Sequence, residues 1–309
     1  MRPTLRQLDY FVAVADRLAF GPAADALAVT QPSLSKQIAA LEAELGLALF
    51  ERTSRKVRLT AAGEALRDEA HAVLESARRF KTAARRLAGD SSRRVRAGVL
   101  PSIGAYFMPR LRERLRGCWP ELRIGLEEGS SRDLLARLGA GDLDCVVASV
   151  GEGGGLKVRR LFEETLWICS APDDALMEDD RPAPLERLAG RTLLTLGPEF
   201  HLTRIVGQLA ETAGADLSED YRGSSLDAVR QMAVSGAGVA ILPSLYALGE
   251  AIRDPDFKVR RLDHPAAVHP VFLYWRASAA DTALFERLAE EMMDEKLAIR
   301  AERAKRFQV

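Results

Sequence analysis

Apolar side chains recur at Leu5, Leu8, Phe11, Val12 and Ala15, the spacing of an amphipathic helix with one face turned inward. Gly21 and Pro22 restart the chain, and Pro22 suits a first helical position because it has no amide hydrogen to leave unpaired. Ala23, Ala24 and Leu27 complete a short second helix. Residues 28–30 read as a tight turn in which Thr30 caps a third helix. In that helix Leu34, Ile38, Leu41 and Leu45 face inward, while Gln31, Ser33, Ser35, Lys36 and Gln37 stand on the opposite face. The period then changes. Val57 and Leu59 alternate with cations, and four of the seven residues 52–58 are basic with none acidic, the pattern of a charged two-stranded hairpin. Thr60 is placed to cap a long helix in which Gly63, Leu66, Ala70, Val73, Ala77, Phe80, Ala84 and Leu87 follow alternating steps of three and four. A 3.5-residue repeat of this length marks a coiled-coil seam and predicts dimerisation through Leu66, Val73, Phe80 and Leu87.

Beyond residue 97 the pattern becomes mixed. Strand-like runs at 122–126, 145–148, 166–169, 193–196, 239–242 and 271–275 alternate with amphipathic helices near 104–116, 131–140, 203–213, 225–235 and 280–298. This alternation predicts doubly wound α/β sheets, whose ligands bind at the carboxyl ends of the strands. Hydroxyl residues stand at several such junctions: Ser102, Ser130 with Ser131, and Ser224 with Ser225. Each also reads as a plain helix cap.

Two short helices joined by a small-residue turn have the geometry of a helix-turn-helix, whose second helix enters the major groove. Gln31 and Ser35 can hydrogen-bond base edges, Lys36 can reach a guanine edge or a phosphate, and the basic hairpin can lie on the backbone. Composition at first points away from nucleic acid, since 44 basic and 44 acidic side chains cancel over 309 residues. The cancellation hides a division. Residues 1–96 carry 17 basic and 11 acidic side chains, a net of +6, and residues 97–309 carry the compensating −6. No run approaches the length of a membrane span, and the start lacks the apolar core and cleavage site of an export signal. Cys118, Cys145 and Cys169 form no close pair, which suits a reducing cytoplasm, and four scattered histidines give no metal-ligand spacing. No Gly-x-Ser-x-Gly elbow surrounds Ser102, so a hydrolytic triad has no support. The expectation is a cytoplasmic, non-enzymatic protein without metal or cofactor.

Ala23-Ala24 with Leu27, the run from Thr30 to Ile38, Leu41-Glu42, Leu45-Gly46, the run from Leu49 to Arg52, and Leu59-Thr60 with Ala62-Gly63 resemble the LysR-type bacterial transcriptional regulators. The resemblance covers essentially the whole chain. It implies a winged helix-turn-helix over 1–59, a linker and dimerisation helix over 60–91, and a two-lobed effector domain of periplasmic-binding-protein type (type II) over 92–300. Its lobes would be 92–163 with 268–300, and 164–267. The tail 301–309 is open between a helix extension and disorder. Carried over by position, Gln31, Pro32, Ser33, Ser35 and Lys36 would read the groove, with Arg52, Arg55 and Lys56 on phosphates. The implied partners are double-stranded promoter DNA, a small-molecule effector and further copies of the chain, a homodimer through the linker helix and then a homotetramer, with RNA polymerase beyond them. At 19–22, where the family more often has a capping hydroxyl, this chain has Ala19-Phe20-Gly21-Pro22.

The effector half is most similar to the peroxide-sensing (OxyR) branch, in Leu100 to Tyr106, Leu134 to Leu138, Gly141 to Cys145, Ala213-Gly214-Ala215 and Gly238 to Pro243. That branch uses two cysteines nine residues apart; the same frame here places His201 at the first position and Ala210 at the second. Neither supports disulfide chemistry. The three cysteines present sit in helix or strand patterns and read as buried small hydrophobes. The resemblance carries Ser102, Ser131 and Arg276 to positions around the branch's reactive site. With His201 they predict a pocket for a small anion, Arg276 binding a carboxylate bidentately. The alternatives are an OxyR-like stress regulator working without a disulfide and, more distantly, a solute-binding protein of the same two-lobed fold.

Overall fold

A computed structural model describes residues 3–52, 57–87, 93–150, 155–254, 256–279 and 281–307. The chain divides into two compact units, one of Met1–Ser91 with the turn Gly139–Asp142, the other of Ser92–Leu138 and Leu143–Val309.

The first unit opens with α1 (Leu5–Arg17), started by a reciprocal cap in which Thr4 Oγ accepts from the Gln7 amide and Gln7 Oε1 accepts from the Thr4 amide. Helix α2 (Phe20–Ala26) begins two residues before the expected Pro22, on Ala19, with no side-chain cap. Phe20 decides this: it is buried and meets the Phe50 ring edge-on at 5.9 Å, with Phe11 against the same ring at 5.6 Å. Pro22 costs nothing there, because the first-turn amides of a helix have no internal partner. After a turn with Ala28 at φ 51°, α3 (Gln31–Leu45) starts on the Thr30 cap and ends at Gly46, φ 68°. Leu34, Ile38 and Leu41 are fully buried. Strands β1 (Phe50–Arg52) and β2 (Val57–Leu59) pair antiparallel as the wing, and Glu42 fastens it by accepting from the Leu49 and Phe50 amides. Helix α4 (Ala61–Leu87) follows the Thr60 cap. Its start lies so close to the wing that a Cβ on Gly63 would sit 2.2 Å from the Leu49 carbonyl oxygen. Gly63 therefore serves backbone approach rather than the seam.

The second unit contains one ten-stranded sheet. In the first lobe β3 (Arg93–Val99) lies between β4 (Leu122–Glu128) and β5 (Cys145–Ala148), all parallel. Helices α5 (Pro101–Tyr106), α6 (Met108–Cys118) and α7 (Ser131–Gly139) connect them. The single helix expected over 104–116 is two, because Pro109 has no amide to continue α5's ladder and Phe107 turns inward between them. Strand β6 (Leu156–Cys169) is longer than the apolar run 166–169, since its first half is largely exposed, with Lys157 to Arg160 all open to solvent. It joins the lobes. The second lobe adds β7 (Ala183–Pro184), β8 (Thr192–Leu194), α8 (His201–Ala213), β9 (Asp216–Leu217), α9 (Leu226–Val234), β10 (Val239–Pro243), α10 (Ser244–Arg253) and β11 (Arg260–Asp263). The chain returns through β12 (Val268–Arg276) to α11 (Thr282–Phe307), so residues 301–307 of the tail extend the last helix. Strand β12 pairs with β5 and with residues 156–165 of β6, whereas residues 166–169 of β6 pair with β10. The passages between lobes thus lie at 165–166 and 267–268, and the Leu166 amide donating to the Ala267 carbonyl ties them.

Helix α10 had no sequence signal of its own. Gly249 inside it is explained by Tyr106, whose ring would lie 2.5 Å from a Cβ there.

Candidate functional site

In the first unit, Gln31, Pro32, Ser33 and Lys36 are exposed along the start of α3 and Ser35 is partly so. The buried Leu34-Ile38-Leu41 stripe fixes which way they point, since residues three and four apart share a helix face. Arg55 and Lys56 lie outside the described residues, as does the Arg52 side chain. On α4, Leu66 is partly buried against the first unit's core, and Ala70 and Leu74 close that contact. Val73 is 45% exposed and Phe80 75% exposed. The seam is therefore divided: its start packs on its own domain and Val73 and Phe80 face outward. The Leu87 side chain lies outside the described residues.

In the second unit a small cavity of about 20 Å³ opens between the lobes, walled by Leu100, Pro101 and Ser102 on one side and Leu196, Phe200, His201, Leu202, Leu226 and Pro243 on the other, with His269 between. That volume holds about one water-sized group. Ser102 and His269 are each only 3% exposed. Neither Ser102 Oγ nor His269 Nε2 makes a hydrogen bond among the described residues. The His201 and His269 ring centroids are 6.4 Å apart. Burial first, then the Arg204 charge, pushes the His201 pKa down to about 4, so its imidazole is neutral near pH 7. Arg204 Nη2 lies 3.1 Å from His201 Nδ1 and 3.4 Å from Nε2.

His269 opposes Glu164 directly in the β12–β6 register, and its Nδ1 lies 3.4 Å from Glu164 Oε2. Glu164 is fully buried. Burial raises its pKa, but the His269 contact, the Lys296 charge and the Leu245 amide donating to Oε1 together hold it below the usual carboxylate value. Arg303 of α11 donates to the Ser244 and Leu245 carbonyls beside it. A second cavity of about 300 Å³ shares the Pro101 and Leu226 walls and carries the carboxylates of Glu128 and Asp227. Asp227 accepts from Tyr246 Oη at 2.6 Å.

Of the four expected effector residues, Ser102 and His201 meet in the small cavity. Ser131 accepts from the Ser149 amide at 3.3 Å and does not line it. Arg276 is a correction. It ends the strand in which His269 is the second residue, about 23 Å away at strand rise, and its guanidinium donates to the Leu138 and Leu143 carbonyls at 2.7 and 2.6 Å. Two residues escaped the sequence reading, His269 and Glu164. Their signal was a histidine and a carboxylate inside apolar strand runs, meaningful only once the register sets them face to face. Cys118 corrects another expectation: it is exposed at the end of α6, past that helix's buried face, whereas Cys145 and Cys169 are buried. Burial raises both thiols, Cys169 to about 12, which keeps them protonated and unreactive. Among the described residues no group of three or more His, Cys, Asp or Glu is placed to hold a metal ion. No described helix is long and apolar enough to cross a membrane.

Residues 5–64 match the helix-turn-helix model of bacterial regulatory proteins of the lysR family, and residues 88–296 match the LysR substrate binding domain. The chain belongs to the LysR family. A LysR-type protein is a DNA-binding transcriptional regulator with an effector-binding domain, and regulators of this kind form oligomers. The DNA-binding transcriptional dual regulator OxyR of Escherichia coli is 34% identical to this LysR-type chain over 287 residues, 93% of each protein. A full-length OxyR variant from Pseudomonas aeruginosa has the same fold with a TM-score of 0.68 at 29% identity, covering 94% of this chain and 95% of that one. A hydrogen-peroxide-bound OxyR mutant of Corynebacterium glutamicum gives a TM-score of 0.63 at 29% identity, covering 99% and 98%.

Proposed function

We propose that this LysR-type regulator reads promoter DNA with Gln31, Pro32, Ser33, Ser35 and Lys36 of α3, anchored on phosphates by Arg52, Arg55 and Lys56. It dimerises through the outward part of the linker helix, Val73 and Phe80 with Leu66 and Leu87 at its ends, assembles into a tetramer and engages RNA polymerase at its promoters. Its effector is a small polar molecule held between the lobes by Ser102, His201 and His269. It acts in the cytoplasm and catalyses no reaction of its own. The observation that carries the effector reading is the convergence of Ser102 and His269, each about 3% exposed, on one cavity between the lobes, where a bound molecule can complete their hydrogen bonding.

The OxyR-like reading rests on the similarity to peroxide-responsive regulators. His201 and Ala210 occupy the frame of the two cysteines, so an effector here would act by binding rather than by forming a disulfide. Genome-wide mapping of bound DNA, followed by gel retardation across a salt series, tests the regulator reading. Specific retardation that weakens steeply with salt and falls about tenfold or more in Lys36→Ala is expected. Retardation independent of sequence would overturn it.

A further inference from the structure

The geometry points to two imidazoles of opposite hydrogen-bonding character in the effector cavity, with Glu164 as the positioning residue for His269 and Arg204 for His201. Their combination selects a small neutral molecule bearing an O–H or N–H, not an anion. This rests on the effector reading above and names the chemistry of that site.

Glu164 is fully buried and accepts from the Leu245 amide at 2.8 Å. Lys296 and Arg303 of α11 supply its countercharge. An ionised carboxylate can only accept. Its closeness to Nδ1 therefore puts the His269 proton on Nδ1 and leaves the lone pair on Nε2 of a ring that lines the cavity, the second-nitrogen logic that governs imidazole tautomers. At His201 the outer partner is reversed. Arginine can only donate, and its Nη2 lies nearer to Nδ1, at 3.1 Å, than to Nε2, at 3.4 Å; with the nearer nitrogen as the acceptor, the proton stays on Nε2. The depressed pKa of His201 agrees with a neutral ring. The cavity thus presents one acceptor, one donor and the Ser102 hydroxyl, which can do either. An anion has nothing to donate to His269 Nε2. Two further facts oppose it: no cationic side chain lines the cavity, and the adjoining space carries Glu128 and Asp227. The cavity volume of about 20 Å³, room for about one water-sized group, keeps the occupant to the smallest polar molecules.

The full chain has four histidines, so ¹⁵N-histidine labelling with magic-angle-spinning spectra, assigned by single His→Gln variants, resolves each ring. The expected pattern is a pyrrole-type Nδ1 with a pyridine-type Nε2 for His269, and the converse for His201. In Glu164→Gln, whose amide can also donate, the His269 preference is lost or reversed. Arg204→Glu, a surface change that does not test the core, reverses His201 alone. His269 with both nitrogens protonated at neutral pH, or rings unmoved by these substitutions, overturns the assignment. Titration with formamide, hydrogen peroxide and formate as probes separates the occupant question. The neutral probes should shift the His269 Nε2 resonance at concentrations at least about tenfold below formate, the scale of one hydrogen bond. Formate binding as well or better overturns the selectivity. The expected tautomers with no response to any probe refute the effector reading while leaving the tautomer assignment standing.

Discussion

In the winged helix-turn-helix, the side chains proposed to read DNA lie within six consecutive positions, 31–36, on one helix. In the effector unit, the polar groups of the cavity come from positions 102, 201 and 269, on α5, α8 and β12, and two of them are almost wholly buried. The first site is local and outward; its chemistry depends on one helix keeping its face. The second is assembled by sheet register and turned inward, so its chemistry depends on outer partners such as Glu164 and Arg204. Damage should therefore travel differently. In the first unit a backbone fault removes function by removing the platform, and in the second a single partner residue can change chemistry with the fold intact.

The largest expected effect breaks the first platform. Gly63→Ala places a Cβ 2.2 Å from the Leu49 carbonyl oxygen, a backbone atom that cannot swing aside. A loss of about 3 kcal/mol in the first unit is expected, seen as an earlier first transition in calorimetry and loss of DNA retardation. The His269 and His201 resonances should be unchanged. Full DNA binding in this variant would show that α4 can lift from the wing at little cost.

Next in size is Phe80→Asp. Phe80 is 75% exposed, so the substitution leaves each unit folded. Burial of such a side chain in a dimer is worth about 1.5–3 kcal/mol per copy, and two copies meet, so the dimer dissociation constant should rise on the order of a hundredfold or more. Sedimentation velocity at micromolar protein checks this, with weaker retardation on a paired half-site probe. An unchanged oligomer would move the interface off the linker helix.

The contrast also governs what was legible beforehand. The three N-terminal helices, the wing and the long linker helix followed from periodicity, because each buries one stripe against neighbours close in sequence. Where the reading failed, tertiary contact overrode local pattern: Phe20 drew the start of α2 forward, Gly63 answered to Leu49, and Tyr106 required Gly249 within α10. The effector strands were legible as apolar runs, except the exposed first half of β6. Its pocket was half legible. Ser102 and His201 were accessible through position in the resemblance, but His269 and Glu164 gain meaning only from being opposed across β12 and β6. Arg276 was misplaced for the same reason, since strand direction carries it to the far end of the lobe.

Arg276→Ala sharpens that correction. Its guanidinium donates to the Leu138 and Leu143 carbonyls, which bracket the turn from α7 to β5, so its loss should cost about 1–3 kcal/mol of stability in denaturant melts. The response of the His269 resonance to formamide should not move. Lost response with unaltered stability would return Arg276 to the effector site.

The smallest expected effect lies at His201 and is read from pH. Its pKa is held at about 4 in the fold, against about 6.5 for an unfolded histidine. Between those values the unfolded chain binds a proton that the native chain refuses. Stability must therefore fall as pH drops from about 6.5 toward about 4, and this contribution levels off once both states are protonated. Above about 6.5 neither state binds the proton and His201 contributes no slope. His201→Gln removes the contribution, so its melting temperature should decline less steeply than the parent's across that window, while the two curves run parallel above it. Carboxylates also titrate toward the acid end, but they are common to both proteins and leave the difference. Parallel curves throughout would mean that His201 takes a proton in the fold as readily as outside it, and the cavity would then hold a cation. The distinction between the two sites would narrow accordingly, because an anion could be gripped in the second unit by charge, much as phosphates are in the first.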